Sequence, residues 1–231
     1  MRFMGMSSSG IAELLEIQKG VTALIGSGGK TTLLYQLAGE LSRWGSVVLT
    51  TTTHIRVPEQ FPLAQTAEEA QKLLKEGKTV CIGTPCDGGK LTAPGFLGWE
   101  KLADFVLVEA DGARMHPLKA HASYEPVIPA GSTHTICVVG ASGFGQPVGY
   151  AAHRPELYAA LLGAKEQTKV TPAMAGQAVE KEHLANRVFL NQTDVLPRII
   201  GTWQIKEFAA ELSVPVVAGS LRLGIWERAK K

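Results

Sequence analysis

The chain has 231 residues, of which 45% are hydrophobic and 19% charged, and its formal net charge is +2. This composition predicts a soluble globular protein of one large domain, and a small net charge with scattered Lys and Arg argues against a nucleic-acid partner. The three cysteines, Cys81, Cys86 and Cys137, lack C-x-x-C spacing, which argues against a disulfide framework or a zinc site. No run approaches the roughly 18 apolar residues of a membrane span, so we expect a cytoplasmic protein without a membrane partner.

Strand-like runs alternate with helical patterns along the first half of the chain. The apolar residues between Leu33 and Leu41 recur at intervals of three and four, which is typical of one helical face. The run at 105–108 is apolar on both faces, which favours a central position in a parallel sheet. The predicted elements are a helix within residues 1–20 capped by Ser8 or Ser9, strands at 21–25, 46–51, 79–82 and 105–108, and helices at 31–44 and 67–76.

The same alternation continues in the second half. Stretches 86–98 and 141–152 are rich in Gly and Pro and are predicted to be surface loops, the second of them mobile. The second stretch does not satisfy G-x-G-x-x-G, because Val148 occupies the position of the last glycine. Strands are predicted at 135–139, 187–190 and 214–217, the last closing the sheet, and helices at 154–162, 172–183 and 195–212. Together these elements predict a single α/β domain over residues 1–231, P-loop NTPase-like, with three layers, a mostly parallel central sheet and an inserted loop and helical segment at 141–185.

The segment GSGGKTT, residues 26–32, predicts a phosphate-binding loop. Glycines allow the backbone angles that point successive N–H groups into one concavity, and the following helix adds its N-terminal donors and dipole. Lys30 is placed to reach the terminal phosphates, and Thr31 can offer its hydroxyl to Mg²⁺. Leu24 replaces the first glycine of the full Walker A pattern, but G-[ST]-x-G-K-T-T resembles the shorter loop of the Mur-type amide ligases. The predicted nucleotide-binding residues are Gly26, Ser27, Gly28, Gly29, Lys30, Thr31 and Thr32.

The segment ADFVLVEADGA, residues 103–113, looks like a Walker B strand that ends in carboxylates. Glu109 and Asp111 lie two residues apart and share a face if the strand continues, at the sheet edge where open α/β proteins bind ligands. We predict that Glu109 and Thr31 hold Mg²⁺ and that Asp111 orients a water molecule or an acceptor. The E-A-D triplet also resembles the Mur-type ligases, in which the glutamate is associated with the metal. The alternative is a helix-capping Asp111 and a solvated Glu109.

Two further polar segments are predicted near the same edge. Within GARMHPLKAHASYEPVIP, residues 112–129, Lys119 and His121 are candidate catalytic residues that contact a substrate, although each is equally compatible with a plain surface position. TTTTHI, residues 50–55, ends the second predicted strand. Its hydroxyls and His54 can face the crevice, but β-branched residues that simply finish a strand are the favoured interpretation.

The segment VFLNQTDV places Asn191, Gln192, Thr193 and Asp194 directly after a predicted strand. It resembles the [NT]-[KQ]-x-D motif of GTPases, in which the aspartate accepts hydrogen bonds from the guanine edge. Thr193 and Asp194 are also good N-caps for the predicted helix that follows. Both interpretations stay open. We predict an NTP ligand, with GTP slightly favoured over ATP, contacted by Asn191 and Asp194.

Several segments together resemble the YqeC-type family over roughly residues 10–220. They are TALIGSGGKTTLLYQLAGEL, VLTTTTHI, LVEADGARMHPLKAHASYEPVIP and HRPELYAALLG, of which the third is far more diagnostic than the phosphate loop. The family is described as accessory factors of selenium-dependent molybdenum hydroxylases, or as selenium cofactor biosynthesis proteins. The resemblance therefore implies a nucleotide-dependent role in maturing a selenium-containing molybdenum site. A small selenium or molybdenum-cofactor substrate and a molybdenum hydroxylase partner are the corresponding expectations.

Three classes of function fit these motifs. The first is a Mg²⁺-dependent NTPase or a phosphoryl- or nucleotidyl-transfer enzyme, which a pocket beside Glu109 lined by Lys119 and His121 would favour. The second is a GTPase-type switch or chaperone that docks on a hydroxylase with slow turnover, which an exposed apolar patch at 112–129 would favour. The third, an ATP-dependent ligase of the Mur type, is the weakest, because those enzymes use additional domains for which 231 residues leave no room.

Overall fold

The computed structural model describes residues 9–231. Within them, no helix is long and apolar enough to cross a bilayer. The strands are β1 (Gly20–Gly26), β2 (Val47–Thr51), β3 (Ile55–Arg56), β4 (Leu63–Ala64), β5 (Thr79–Ile82), β6 (Thr84–Cys86), β7 (Lys90–Thr92), β8 (Phe105–Glu109), β9 (Leu118–Lys119), β10 (His134–Gly140), β11 (Ala152–His153), β12 (Arg187–Asn191), β13 (Val216–Ser220) and β14 (Ile225–Lys230). The helices are α1 (Ile11–Leu14), α2 (Lys30–Leu41), α3 (Ala67–Glu76), α4 (Val148–Ala151), α5 (Pro155–Leu162), α6 (Pro172–Glu182) and α7 (Gly201–Ala210).

Nine strands form one central sheet in the order β14-β13-β12-β10-β1-β8-β2-β5-β4. Every neighbouring pair is parallel except β13 and β14. Strand β1 lies between β8 and β10, and the register places Leu24 opposite Glu109 and Gly26 opposite Val138. The carboxyl ends of β1, β8 and β10 therefore meet at one edge of the sheet, which is where open α/β sheets bind ligands.

Helices cover both faces of this sheet. Because side chains alternate along a strand, Leu24 of β1 packs with α1 and α2, whereas Ala23 and Ile25 face the layer built by α4, α5, α6 and α7. Helix α3 packs Ala70 against β5, β2 and β8 on that second face, beside Val21. The three-layer α/β architecture with a mostly parallel sheet that the sequence predicts is confirmed.

Two helices, one near each end of the chain, have boundaries that differ from the predicted ones. The helix within residues 1–20 is a single turn from Ile11 to Leu14, and its N-cap is Gly10 rather than Ser9, while Ser8 lies outside the described residues. The helix predicted at 195–212 begins only at Gly201, because Pro197 disfavours a helical conformation at Leu196, whose ψ is 143°. Thr193 and Asp194 belong to a separate 3-10 turn without a side-chain cap, so the N-cap interpretation of these two residues is wrong.

The sheet also has an edge that the sequence did not predict. Strand β14 pairs antiparallel with β13, so the predicted strand at 214–217 does not close the sheet. The sequence of β14, IWERAK, has no clear apolar alternation. The strand pairs with β13 on one edge only, and its residues are half-buried or exposed. The turn between the two strands brings Leu221 and Arg222 next to the end of β12.

Both predicted surface loops contain regular structure. In the stretch 86–98, β7 pairs with β6 and β3 in a three-stranded sheet, and Leu91 is fully buried. The stretch 141–152 includes α4 and packs Val148 and Ala151 into the core beneath α5. The surface-loop prediction is wrong for this second stretch, because Val148, Ala151 and Ala152 are buried, although Tyr150 is exposed. Helices α4, α5 and α6 together connect the adjacent parallel strands β10 and β12.

Candidate nucleotide site

The glycine-rich loop leaves β1 at Gly26 and enters α2 at Lys30. Gly26, Gly28 and Gly29 have φ values of 88°, 86° and 129°, in the region that favours glycine. A Cβ atom at Gly28 would lie 2.5 Å from the backbone nitrogen of Gly140, and one at Gly29 would lie 2.4 Å from Nδ2 of Asn191. Glycine is therefore required both by the backbone angles and by the close approach of the ends of β10 and β12.

The start of the loop is held by the protein itself. The Gly26 N–H donates to Oδ2 of Asp111 at 2.9 Å, and the Ser27 N–H donates to the Val138 carbonyl at 2.7 Å. The Ser27 hydroxyl donates to the His116 carbonyl, which ties the loop to the segment after β8. The first helical bond runs from Leu33 N–H to the Gly29 carbonyl, so the N–H groups between them belong to the helix N-terminus. Such donors, together with the helix dipole, favour an anion.

Lys30 lies at the floor of the site, almost fully buried. Its Nζ donates to the Gly26 carbonyl at 2.7 Å and lies 3.0 Å from Oδ1 of Asp111. The distance from Nζ to Oε1 of Glu109 is 3.9 Å. A buried ammonium group requires such partners, because burial penalises an unpaired charge. The lysine is thus fixed next to the loop's donors and to the carboxylates at the end of β8.

Glu109 and Thr31 form an oxygen-rich pair beside Lys30. The Thr31 hydroxyl donates to Oε2 of Glu109 at 2.7 Å, across the boundary between β8 and α2. Burial raises the pKa of Glu109, and the nearby Lys30 charge and the Thr31 hydrogen bond offset only part of that effect. A cation at this carboxylate would stabilise its charged form. Carboxylate and hydroxyl oxygens are ligands that Mg²⁺ accepts, so this pair fits the predicted metal site.

Within residues 9–231 no group of three or more His, Cys, Asp or Glu side chains is arranged to hold a metal ion. Mg²⁺ is usually bound by one or two protein groups together with substrate phosphates and water. A pair such as Thr31 and Glu109 is the kind of partial coordination shell that a nucleotide-bound Mg²⁺ uses.

Asp111 is completely buried and accepts from several donors at once. Its Oδ2 lies 2.7 Å from Nε2 of His121 and 3.0 Å from Nζ of Lys119, and it also accepts the Gly26 N–H. Burial alone would raise its pKa, but the His121 hydrogen bond and the charges of Lys30 and Lys119 outweigh burial and hold that pKa far below its usual range. Asp111 is therefore an ionised carboxylate that fixes the phosphate loop and two cationic side chains.

His121 and Lys119 extend this network in two directions. Nδ1 of His121 lies 2.8 Å from Oε2 of Glu182 at the end of α6. Burial by itself lowers the pKa of His121, but its hydrogen bonds to Asp111 and Glu182 raise it overall. With a carboxylate at each ring nitrogen, the imidazole is a charged double donor. Lys119 contacts Oε2 of Glu125 at 2.9 Å, and Glu125 in turn accepts from Arg154.

An open cavity of about 1060 Å³ lies above these groups. The phosphate loop from Gly28 to Thr32 and the carboxylate of Glu109 line one side of it. Asp111, Lys119 and His121 do not line the cavity; their side chains are buried, and those of Lys119 and His121 both contact Asp111. The other walls carry His54, Lys90, Arg114, His116, Glu125, His153 and Arg154. Sequence reasoning did not single out Glu182, Arg154 or Lys90, because no local pattern marks a residue that meets the site only through the fold.

The threonine segment divides between the two predicted roles. The Thr50 and Thr51 hydroxyls donate to the carbonyls of Ile82 and Glu109, so these residues finish β2, as favoured from the sequence. Thr52, Thr53 and His54 follow the strand and line the cavity. The Thr52 hydroxyl donates to the Val127 carbonyl and holds the 112–129 segment against this end of the sheet.

Asn191 and Asp194 have internal partners. Nδ2 of Asn191 donates to the Gly28 carbonyl at 2.8 Å, and its Oδ1 accepts the Leu221 N–H at 3.1 Å. Asn191 thereby links the phosphate loop to the turn between β13 and β14. Asp194 accepts from Arg222 at 2.5 Å. The hydroxyl of Ser220 donates to the same carboxylate and, with Arg222, holds its pKa low. Neither residue lines the cavity, whereas the intervening Gln192 does.

The family model described as YqeC protein matches residues 22–156. The uncharacterized protein YqeC of Escherichia coli (strain K12) is 34% identical over 155 residues, which is 62% of this chain and 60% of that protein. The chain thus spans about 60% of the length of this curated relative. The residues matched by the family model include the phosphate loop, Glu109, Asp111 and Arg154, but not Asn191 or Asp194. The chain belongs to the YqeC family.

Proposed function

We propose that this protein binds a Mg²⁺–nucleoside triphosphate and either hydrolyses it or transfers its phosphoryl or nucleotidyl group. The observation that carries the proposal is the contact between Thr31 and Glu109 beside the buried Lys30, directly at the N-terminus of α2. A glycine loop alone is compatible with a simple turn. A lysine, a hydroxyl and a carboxylate converging on that loop are the set that nucleotide-dependent phosphoryl transfer requires.

The chain's own groups have distinct roles in this proposal. Lys30 and the loop N–H groups stabilise the negative charge that builds on the transferred phosphate. Thr31 and Glu109 would hold Mg²⁺, which neutralises phosphate charge when it is bound. Asp111 is assigned a positioning role rather than contact with water, because it is fully buried and bound by Lys30, Lys119 and His121. It keeps the loop and its lysine in place before a ligand arrives.

We place this activity in selenium cofactor biosynthesis or in the maturation of selenium-dependent molybdenum hydroxylases. The support for this placement is the YqeC family membership together with the description of that family given above. A small selenium or molybdenum-cofactor compound is the proposed second substrate, a molybdenum hydroxylase the proposed partner and the cytoplasm the proposed location. The cavity extends well beyond the phosphate loop, which leaves room for a second small molecule.

A GTPase-type switch or chaperone with slow turnover is the second candidate. The observation that favours it is the exposure of Met115, Tyr124 and Val127, three apolar side chains on the 112–129 segment. The same three residues line the cavity, so they are equally available to a small substrate. Single-turnover and steady-state rates separate the two candidates. A turnover that rises severalfold only when a partner protein is added supports the switch.

A nucleotide screen by thermal shift in the presence of Mg²⁺ tests the proposal. At a ligand concentration of about 100 Kd, binding should stabilise the protein by about 2.7 kcal/mol and raise its Tm by roughly 5–10 °C. Lys30→Ala should abolish the shift, since it removes the cation that contacts the phosphates. Lys72→Ala is the matched control, because Lys72 is an exposed lysine on α3 that does not line the cavity.

Lys30→Arg keeps a positive charge beside Asp111 and so preserves the fold better than Lys30→Ala, yet its planar guanidinium does not reproduce the lysine geometry. We expect Lys30→Arg to be folded by circular dichroism and to bind nucleotide at least tenfold more weakly by calorimetry. Unchanged nucleotide binding in both Lys30 variants would exclude the phosphate-loop assignment.

A further inference from the structure

The cavity wall that carries Lys90 and Arg114 is positively charged. Of the basic side chains that line the cavity, Lys30 is paired with Asp111, and Arg154 is paired with Glu125. In the part of the chain that the structure describes, Lys90 and Arg114 have neither an ion pair nor a side-chain hydrogen bond. They come from different elements, β7 and the segment after β8, and both line the same cavity.

The acidic residues of the cavity do not cancel this charge. Glu125 is already bound by Lys119 through Oε2 and by Arg154 through Oε1. Glu109 faces Lys30 and Thr31 at the other end. Unmatched cations in a concave site with low-dielectric walls concentrate the electric field and attract anions.

Two stacked histidines stand next to these cations. The rings of His116 and His153 are 6.1 Å apart with an interplanar angle of 21°. Nδ1 of His116 donates to the Tyr150 carbonyl at 3.2 Å, which fixes the ring and leaves Nε2 for a ligand. The pKa of His153 is lowered by burial first and then by the positive charges of Arg154, Lys119 and Arg114. The His153 ring therefore experiences the same positive field that an anion would meet.

The loop that presents Arg114 is held in an unfavourable conformation. Arg114 and Met115 have φ values of 45° and 65°, which cost energy in residues other than glycine. The turn is secured by the hydrogen bond from His116 N–H to the Ala113 carbonyl and by the Ser27 hydroxyl on the His116 carbonyl. A conformation of this kind persists only where the surrounding structure imposes it, and here it directs an unpaired arginine to the cavity.

We propose that this wall is a second anion site, which binds a small molecule carrying a phosphate-type oxyanion while the nucleotide occupies the phosphate loop. Arg114 and Lys90 supply the charge, and the His153 ring, stacked on His116, supplies an N–H donor. Arginine suits such a ligand, because its planar donors match two oxyanion oxygens at once. The cavity volume of about 1060 Å³ slightly exceeds the range of roughly 300–1,000 Å³ for small-molecule sites, which leaves room for two ligands. The inference deepens the proposed function and rests on it for the identity of the first ligand.

Calorimetric titration with inorganic pyrophosphate tests the second site. The protein is first saturated with Mg²⁺ and a non-hydrolysable nucleotide, so that the phosphate loop is filled. We expect pyrophosphate to bind once more, and the double variant Lys90→Ala/Arg114→Ala to weaken that binding by at least about tenfold per charge removed. The double variant Lys72→Ala/Lys75→Ala removes the same charge from the exposed side of α3 and should bind pyrophosphate as the wild type does.

Each other outcome counts against the inference. If the saturated protein binds no pyrophosphate, or if both double variants bind it equally, there is no second site at this wall. If Lys90→Ala/Arg114→Ala weakens nucleotide binding itself by a similar factor, these cations belong to the nucleotide site instead. A repeat of the titration on nucleotide-free Lys30→Arg separates the inference from the proposed function. Pyrophosphate binding there that still depends on Lys90 and Arg114 would support the second site even if no nucleotide binds.

Discussion

Asp111 shows how a single buried carboxylate organises the candidate site without lining its cavity. Its carboxylate oxygens lie 2.7–3.0 Å from four nitrogen atoms, which belong to the backbone of Gly26 and to the side chains of Lys30, Lys119 and His121. Removing one partner from a buried ion network typically costs about 3–5 kcal/mol, because the remaining charges are left uncompensated. The residue two positions earlier, Glu109, has the opposite situation, since its pKa is raised by burial and its partners only partly offset this. The E-A-D triplet thus contains one carboxylate whose charge the protein's own cations stabilise and one whose charge they stabilise only in part.

The Glu109 assignment makes a prediction that separates metal binding from nucleotide binding. Glu109→Gln keeps the size of the side chain and its contact with Thr31 but removes the charge that would hold Mg²⁺. We expect Mg²⁺-dependent turnover to fall by about 10²-fold or more, a loss of about 2.7 kcal/mol in transition-state stabilisation. Nucleotide affinity measured in EDTA should change less than threefold. An equal loss with and without metal would contradict the assignment.

Asp194 supplies a second test at the same scale. A guanine edge would have to displace Arg222, which is 76% exposed and free to move, from a carboxylate that is only 7% exposed. If Asp194 binds the guanine base, Asp194→Ala should lower the affinity for GTP by about tenfold, which is roughly the contribution of a hydrogen bond to a charged group. The affinity for ATP should be unchanged. Arg222→Ala removes the competing cation and should retain GTP binding. An unchanged ratio of GTP to ATP affinity in Asp194→Ala would exclude the guanine motif.

At the scale of elements, the phosphate loop depends on how closely three strands approach it. Gly28 lies against the backbone of Gly140 at the end of β10, and Gly29 lies against Asn191 at the end of β12. The loop's conformation is therefore set jointly by β1, β10 and β12. The missing glycine of the full Walker A pattern has no consequence for this packing, since Leu24 is a fully buried core residue inside β1.

Two glycines, one before α2 and one near its C-terminal end, predict opposite effects of substitution by alanine. Gly28→Ala introduces a Cβ 2.5 Å from the Gly140 nitrogen at a φ of +86°, so we expect a loss of roughly 2–3 kcal/mol in the free energy of unfolding and a large loss of nucleotide affinity. Gly39→Ala, in the exposed part of α2 with no atom within 4 Å, should stabilise the protein by up to about 1 kcal/mol. Urea denaturation measures both. Similar effects of the two substitutions would show that the loop tolerates a side chain.

At the scale of the whole molecule, one charged network joins the phosphate loop to the outer helical layer. It runs from Lys30 through Asp111 and His121 to Glu182 on α6. A second branch runs through Lys119 and Glu125 towards the cavity wall. The layers of the domain are therefore connected by ion pairs at the same place where the sheet presents its carboxyl edge.

This network makes stability depend on pH. Because the pKa of folded His121 is raised, its contribution is fully present below the unfolded value of about 6.5 and is lost as the pH rises through the folded pKa. The difference in free energy of unfolding between wild type and His121→Gln should be largest near pH 6. Above the folded pKa it should be smaller by about 1.4 kcal/mol for each unit by which folding raises the pKa of His121. His54→Gln, at an exposed histidine, is the control and should show no such trend. A constant difference between pH 6 and pH 9 would contradict a charged His121.

Much of the fold was predictable because it depends on local patterns. Helix α3 and strand β5 have the boundaries that the sequence predicts, and in the structure the Thr66 side chain caps α3 by accepting from the Glu69 N–H. The segment 141–152 was mistaken for a surface loop because glycines and a proline dominate its composition, whereas Val148 and Ala151 are buried in a core that also contains residues of α5, α6 and α7. Strand β14 was not predicted, because the residues of this edge strand are half-buried or exposed and its sequence shows no clear alternation of apolar and polar residues.

The sequence by itself determined the glycine-rich loop at 26–32, the carboxylates at 109 and 111 and the alternation of strands and helices. Each of these is encoded within a few consecutive residues by glycine conformations, apolar periodicity and chain order. Only the tertiary structure decided that Asp111 and Lys119 do not line the cavity while Lys90 and Arg114 line it. It also decided that His121 meets Glu182, a partner 61 residues away. The partner of a buried charge is set by the register of strands and the packing of helices, and no local pattern records it.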